Sequence, residues 1–369
     1  VAHSVLVIGG TGPTGVPLVR NLVEDGYEVT ILHRGAHERP ETPPSVRHLH
    51  HDPYDRDDLA DALAGRAFDT VVAMYGRLRA VAEVTVGRTG HFVSIGGVPA
   101  YRGWMHPALG RPAGLPVPVS ESAPTVAVPA EDEKGFRVRR TEEMLFAHHP
   151  RATHFRYPYV YGPYQPVPRE WLVVRRILDG RRRMVVAEDG LTLHHHGYTE
   201  NLAHAVALAI AMPQVAAGTI YNAADEEVLT CRQVIELVAG ELGHALKLVS
   251  MPFDLAVPAW PMIGQPLPTH RVLDLSRLKH DLGYHDVVPA RHAVRRTARW
   301  LAANPPEAGG AEERVLQDPF DYAAEDRLMD AWMAARSKVA DPGFAIRPGF
   351  GLAYSGPGGR PRSVATFTP

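Results

Sequence analysis

The stretch VIGGTGPTG sets Gly9, Gly12 and Gly15 three apart, directly after a β-branched apolar run and directly before a helical pattern. A turn of this kind presents free backbone amides to a paired phosphate. Gly9 permits the tight turn, Gly12 lets the backbone approach a pyrophosphate, and Gly15 lets helix and strand close up. The helix dipole adds to the attraction. Thr11, Pro13 and Thr14 complete the expected dinucleotide loop. About 20 residues on, sites selective for NAD usually place an acid against the ribose diol. This chain has His33 and Arg34 there. Nothing repels a 2′-phosphate and Arg34 can pair with it, so NADP is expected in preference to NAD. Asp52, in HHDPYD, is a candidate acceptor for the adenine amino group, and Tyr75, Ser94 and Pro158 join the expected cofactor contacts.

Three further clusters carry chemistry. EDEKGFRVRRTEEML holds Lys134, Arg137, Arg139 and Arg140 among acids, which reads as either an anion site or a solvated helix face. RYPYVYGPY holds Tyr157, Tyr159, Tyr161 and Tyr164, a source of a phenol. LTLHHHGYTENLA holds His194, His195 and His196, and imidazole is the side chain best suited to proton transfer near neutrality. On a strand these histidines alternate between faces, so at most two share a site. No metal site is expected from them. Arg181, Arg182, Arg183 and Arg271 are available to meet an anionic substrate.

The elements that must position these groups alternate. SVLVIGG, YEVTILHR, DTVVAMYG, GHFVSIGG and RATHFRYPYVYG read as strands, with helices TGVPLVRNLVEDG, DRDDLADALAG and TEEMLFAHH between them. This order predicts an α/β, Rossmann-type doubly wound parallel sheet. Residues 101–129, rich in proline and glycine, read as a long surface loop near the site. REWLVVRRILDG and CRQVIELVAGELG are amphipathic helices, and GTIYNAA and LKLVSMP strands, of a smaller substrate lobe. The expected division is a dinucleotide domain over residues 1–165 that also receives elements from 192–222, and an interleaved lobe over 166–305. A helix plus a Gly/Pro-rich arm follows over 306–369. Phe344, Phe350, Tyr354 and Phe367 give that arm the aromatic density of a segment that docks.

Composition narrows the class. The chain of 369 residues is 45% hydrophobic and 22% charged with a formal net charge of −2, so no global field recruits nucleic acid or an anionic membrane. One cysteine, Cys231, excludes an intrachain disulfide framework and a thiolate zinc site and fits a reducing cytoplasm. The opening SVLVI runs into glycines and reads as a strand rather than a signal peptide. No apolar run approaches the ~18 residues that span a bilayer.

With these pieces placed, residues 4–302 resemble the extended short-chain dehydrogenase/reductases, the NAD-dependent epimerase/dehydratase family. The likeness rests on GGTGPTG, VVAMYG, FVSIGGVPAYRG, FRYPYVYGP, YTENLAHAVALAI and LDLSRLKHDLGY. It implies a serine or threonine plus a Tyr-x-x-x-Lys pair, in which lysine lowers the pKa of a tyrosine acid/base and holds the nicotinamide ribose. Here the serine position falls on Gly97, the tyrosine position on Gly135 and the lysine position on Arg139, and no Tyr-x-x-x-Lys occurs anywhere in the chain. By the resemblance, Arg139 binds the ribose, Lys134 lines the same helix start, and Gly135 leaves a gap that admits substrate. Tyr159 faces the substrate where the family often has asparagine. His194 stands where sugar-nucleotide members begin with a diphosphate-gripping arginine. Relatives often pair through two helices, which makes a homodimer the expected assembly.

The expected activity is therefore NAD(P)-dependent reduction or epimerisation of a small polar carbonyl or hydroxyl compound, with Tyr159, His194 or Lys134 as a non-standard acid/base. A redox-neutral isomerase, lyase or cyclase, and a non-catalytic nucleotide-binding sensor, fit the same residues.

Overall fold

The computed structural model describes residues 3–35, 38–74, 78–339 and 342–345. In chain order the first elements are β1 (Ser4–Ile8), α1 (Gly15–Glu24), β2 (Glu28–His33), β3 (Arg47–His50), α2 (Arg56–Ala62), β4 (Phe68–Met74), α3 (Leu78–Val84) and β5 (Thr89–Gly97). Then come α4 (Glu133–His148), β6 (Thr153–Tyr157), β7 (Tyr159–Tyr161), α5 (Trp171–Leu178), β8 (Arg183–Ala187) and β9 (His196–Tyr198). The series continues with α6 (Thr199–Ala211), α7 (Pro213–Ala216), β10 (Ile220–Asn222), α8 (Cys231–Glu241), β11 (Lys247–Met251) and α9 (Trp260–Ile263). It closes with α10 (Ser276–Leu282), α11 (Ala290–Ala303), α12 (Ala311–Arg314) and α13 (Tyr322–Arg336).

Seven strands form one sheet in the order β10-β6-β5-β4-β1-β2-β3, every neighbouring pair parallel. The order reverses between β1 and β4, so the glycine-rich turn leaves the sheet at the crevice where open α/β folds bind ligands. Val5, Leu6 and Val7 are fully buried, because helices cover both faces of a parallel sheet. One face packs Val5, Val7 and Ile31 against Leu18 and Leu22 of α1 and Val206 of α6. The other packs Leu6, Leu32 and Val71 against Leu59 of α2, Val81 of α3 and Leu145 of α4.

Local chemistry starts the helices where the sequence places them. Asp55 caps α2 by accepting from the amides of Asp57 and Asp58, and Asp132 caps α4 by accepting from that of Gly135. Thr230 and Gln233 form a reciprocal capping box on α8. Two short parallel pairs, β7 with β9 and β8 with β11, lie outside the main sheet, and α5, α8 and α11 pack on one another.

The segment 101–129, expected as a surface loop, is in part core. Tyr101, Trp104, Val119 and Val126 are buried, and the Tyr101 hydroxyl donates to Asn222 Oδ1 at 2.6 Å. Its prolines and glycines hide periodicity without removing apolar anchors. RATHFRYPYVYG yields two strands rather than one, since Pro158 interrupts the ladder between β6 and β7.

The chain divides into two compact units, the first ending at Phe320. Residues 306–320, grouped from sequence with the arm, lie in the first unit: Trp171 Nε1 donates to Glu313 at 2.8 Å, and Arg176 pairs with Asp318 at 2.9 Å, both buried. In the second unit α13 is capped by Asp321, which accepts from the Ala324 amide. Phe344 is exposed, whereas Phe350, Tyr354 and Phe367 lie outside the described residues. No helix among the described residues is long and apolar enough to cross a membrane.

Candidate nucleotide and anion site

The glycine-rich turn is built by contact. Gly9 has φ +94, and a Cβ there would lie 2.9 Å from the Met74 carbonyl oxygen. A Cβ on Gly15 would stand 2.5 Å from the Gly9 oxygen, so helix and strand meet as closely as backbone allows. Among the described residues the only neighbour a Cβ on Gly12 would meet is the Gly9 oxygen at 3.3 Å, which leaves room for a ligand on that flank of the turn. The residues present thus fit a dinucleotide phosphate. Thr11, Pro13 and Thr14 complete the turn. Arg39, which sequence reasoning missed, donates from Nε to the Thr11 carbonyl at 3.2 Å and lies 4.0 Å over the Tyr164 ring. Tyr164 in turn donates to Glu41 at 2.6 Å. No local pattern marks Arg39; chain folding alone brings it to the cradle.

The other expected cofactor contacts are more dispersed. Arg34 is exposed and its guanidinium lies 5.6 Å from the Tyr54 ring centre. His33 is buried and faces β3: it shares a 3.0 Å hydrogen bond with His48 and accepts from the Gly35 amide at 3.1 Å. Asp52 accepts from the Tyr54 amide at 2.9 Å. Pro158 is buried at the junction of β6 and β7. Tyr75 lies outside the described residues.

The position that relatives give to a catalytic tyrosine is closed. A Cβ on Gly135 would stand 2.4 Å from the Pro99 carbonyl oxygen and 2.6 Å from Val126. The gap expected for substrate is therefore filled by the turn after β5. Arg139 does not line a ribose pocket here: it donates to the Val126 and Ala127 carbonyls at 3.2 Å and pairs with Glu143 at 2.6 Å. Arg140 meets the same Glu143 at 2.5 Å, and Lys134 is exposed on the first turn. This cluster is mainly a solvated helix face that also ties down the 126–127 segment.

Ser94, expected at the cofactor, points into the core. Its hydroxyl shares a 2.8 Å hydrogen bond with His154 Nδ1, and both residues are buried. Beyond His154, Glu142 receives two hydrogen bonds from Arg156, at 2.9 and 2.7 Å. Burial alone would raise Glu142, but the bonds from Arg156 and His154 outweigh it and hold the carboxyl at about 2. This is a neutralised buried pair under the sheet end.

The lobe gathers a different set. His194, in an isolated bridge, and His196, which opens β9, have ring centres 4.7 Å apart, and Tyr159 on the paired β7 stands 5.3 Å from His196. His195 points the other way, bonded to the Asp225 carbonyl and the Leu273 amide. The Tyr159 phenol donates to the Val167 carbonyl, and burial raises it far above the ordinary tyrosine value. Its proton is engaged by that carbonyl. Arg169 lies 3.8 Å over the Tyr159 ring and donates from Nη1 to His194 Nδ1 at 2.7 Å. Burial, then Arg271 and Arg169, drives His194 well below its ordinary value, which keeps it neutral and able to accept from Arg169.

Arg271 bridges to His194 in the backbone and donates from Nη2 to the Ile263 and Gly264 carbonyls at 2.9 and 3.2 Å. Arg169 reaches the same turn: a Cβ on Gly264 would lie 2.7 Å from its Nη2. Arg169 and Arg271 are 8% and 3% exposed, yet no ion pair joins either to a carboxylate among the described residues. Burial, then repulsion from Arg169, lowers Arg271 to about 9. Glu170, beside Arg169, is raised by burial to about 7 and so gives only a partial counter-charge near neutrality. His196 Nε2 is buried without a partner, as is Nε of Arg271. Arg169 carries no motif, and the role of His196 was legible only as the alternation of faces.

Comparison with known proteins agrees with this frame. Residues 5–89 match the NAD dependent epimerase/dehydratase family. The Escherichia coli uncharacterised protein YbjS is 26% identical over 172 residues, 41% of this chain and 50% of that protein. The chain thus spans about half the length of the curated relatives it matches. The structure of Thermotoga maritima UDP-glucose 4-epimerase with UDP-glucose superposes with a TM-score of 0.63 at 16% identity, over 82% of this chain and 99% of that one. The Bacillus anthracis dTDP-glucose 4,6-dehydratase in complex with NAD gives 0.64 at 14% identity, over 82% and 98%.

Proposed function

We propose that the chain is a member of the NAD dependent epimerase/dehydratase family, whose model matches residues 5–89, and that it binds NADP or NAD at the glycine-rich turn and a small anionic hydroxyl or carbonyl compound in the lobe. Bound there, a nicotinamide supplies hydride exchange. The reaction is a reduction or epimerisation. The observation that carries the substrate class is the pair Arg169 and Arg271, two buried guanidiniums without a carboxylate partner among the described residues. A buried charge left unpaired costs several kcal/mol, roughly 3–5. A carboxylate or phosphate on the substrate offsets that cost and accepts the planar donors.

His196 takes the proton in place of the absent phenol. Its free Nε2 lies beside His194 and Tyr159; burial, then Arg169, His195 and Arg271, hold the ring neutral, and an arriving anion counters the two arginines. Arg169 holds His194 in one tautomer through the 2.7 Å bond and keeps the pocket wall in register. A second reading, a nucleotide-binding sensor without turnover, draws support from the closed Gly135 position. The test is calorimetry with NADP and NAD, followed by the reduced-nicotinamide absorbance during exposure to small hydroxy and keto acids and sugar phosphates. A change in that band that needs the anionic group supports the enzyme reading. Tight nucleotide and anion binding without any change supports the sensor, and no association of either nucleotide overturns both.

A further inference from the structure

At the open edge of the sheet, β2 and β3 pair so that His33 opposes His50 and Ile31 opposes His48. Side chains two apart on a strand share a face, so all three imidazoles project from the same side. Glu38, from the connection between the two strands, reaches the same spot. One ligand atom from each of His33, Glu38, His48 and His50 lies within 4.8 Å of the others. We propose that these four residues form a binding site for a divalent late first-row metal ion, with zinc as its natural occupant.

The separations fit that role. His33 Nε2 and His48 Nδ1 are 3.0 Å apart, His48 Nδ1 and Glu38 Oε1 3.8 Å, and His50 Nε2 and Glu38 Oε1 3.2 Å. Ligands on a tetrahedron with bonds of ~2.0–2.1 Å stand about 3.4 Å apart, so these three pairs need adjustments of a few tenths of an ångström, and side-chain rotation must draw in the wider pairs of a set that spans up to 4.8 Å. Three imidazoles and a carboxylate are borderline ligands that suit zinc and its neighbours, not calcium or magnesium.

The surroundings supply both rigidity and access. His33 is 6% exposed, whereas the side chains of His48, His50 and Glu38 are 26%, 54% and 58% exposed. One ligand is thus anchored in the core and the others open to solvent. Metal entry displaces the proton shared between His33 and His48. Coordination through His33 Nε2 also leaves a proton on Nδ1, so the Gly35 amide gives up its bond to that nitrogen and the turn after β2 shifts. The site is remote from the histidines of the lobe in sequence and shares no residue with them.

The test uses untagged full chain, stripped with chelator, equilibrated with micromolar zinc and measured for bound metal. About one equivalent is expected, and cobalt in its place gives the intense visible absorption of a four-coordinate nitrogen and oxygen set. His48→Ala and His50→Ala, both at partly exposed positions, are expected to weaken binding at least tenfold while circular dichroism remains unchanged. His51→Ala, whose ring pairs with Asp58 instead, retains full binding. Zinc bound equally well by the His48→Ala/His50→Ala double variant, or not bound at all at these concentrations, overturns the assignment. The readout needs no nucleotide or substrate, so its outcome is separate from that of the proposed activity.

Discussion

Arg169 and His194 meet edge to edge in the lobe, Nη1 donating to Nδ1 across 2.7 Å, with the Tyr159 ring 3.8 Å beneath the guanidinium. The bond fixes which nitrogen of His194 accepts, and leaves the remaining guanidine donors of Arg169 beside Arg271 at the Gly264 turn. A charge this well buried is usually paired. Here the counter-ion is expected to arrive with the ligand. Arg271→Gln should lower the affinity for a small carboxylate or phosphate about tenfold or more, since charge-assisted bonds contribute ~1.5–3 kcal/mol. Because the variant also removes an unpaired buried charge, its thermal stability without ligand should stay equal or rise. Calorimetry and a melting curve on the same samples check both halves.

Rebuilding the family's pair by Gly135→Tyr with Arg139→Lys should not create a working acid/base. The new Cβ meets the Pro99 carbonyl, not open space, and the lysine loses the bonds that Arg139 makes to Val126 and Ala127. A loss on the order of 3 kcal/mol is expected from overpacking a closed site, measured by urea denaturation. Full stability in this double variant would mean that the turn after β5 yields easily.

Asp225 accepts from the Tyr198 amide, Asn201 Nδ2 and the Tyr161 hydroxyl. Burial, then repulsion from Asp286, raises it from 3.8 to about 7. A raised folded pKa means that the folded state holds the proton more tightly than the unfolded one. The associated stability is complete below about 3.8 and is lost as pH rises through about 7. Asp225→Asn cannot titrate, so its stability relative to the unsubstituted protein should rise between those two values. Paired melting curves across that range test the sign.

Arg176 and Asp318 have side chains only 1% and 3% exposed and lie 2.9 Å apart. Asp318→Ala leaves a buried guanidinium without its carboxylate and should cost roughly 3–5 kcal/mol, read as a shifted denaturation midpoint. A loss under about 1 kcal/mol, as for an exposed pair, would mean that residues 311–320 contribute little to holding α5.

Much of the dinucleotide half was legible because its signals are local. Gly9, Gly12 and Gly15 answer to one turn, and the apolar runs of β1, β2, β4 and β5 answer to burial on both faces. The site beyond it was not. Ser94 and Gly135 were placed correctly on their elements, yet whether one faces a cofactor and the other a void depends on His154 and Pro99, which are distant in sequence from Ser94 and Gly135. The triplet His194 to His196 announced alternation, but which face held Arg169 could not be read from neighbours in the chain.

By itself, then, the sequence determined the parallel α/β architecture, the phosphate turn and the absence of a Tyr-x-x-x-Lys pair, since each follows from residue type and spacing along a few turns of backbone. Only the tertiary structure decided that Arg139 and Arg140 of α4 are spent on Glu143 and, for Arg139, on backbone carbonyls, that Arg169 and Arg271 converge without a carboxylate among the described residues, and that His33, His48, His50 and Glu38 share one corner. Those outcomes depend on which surfaces the packing of the core brings together, and a side chain's partner across the fold leaves no mark on the residues beside it.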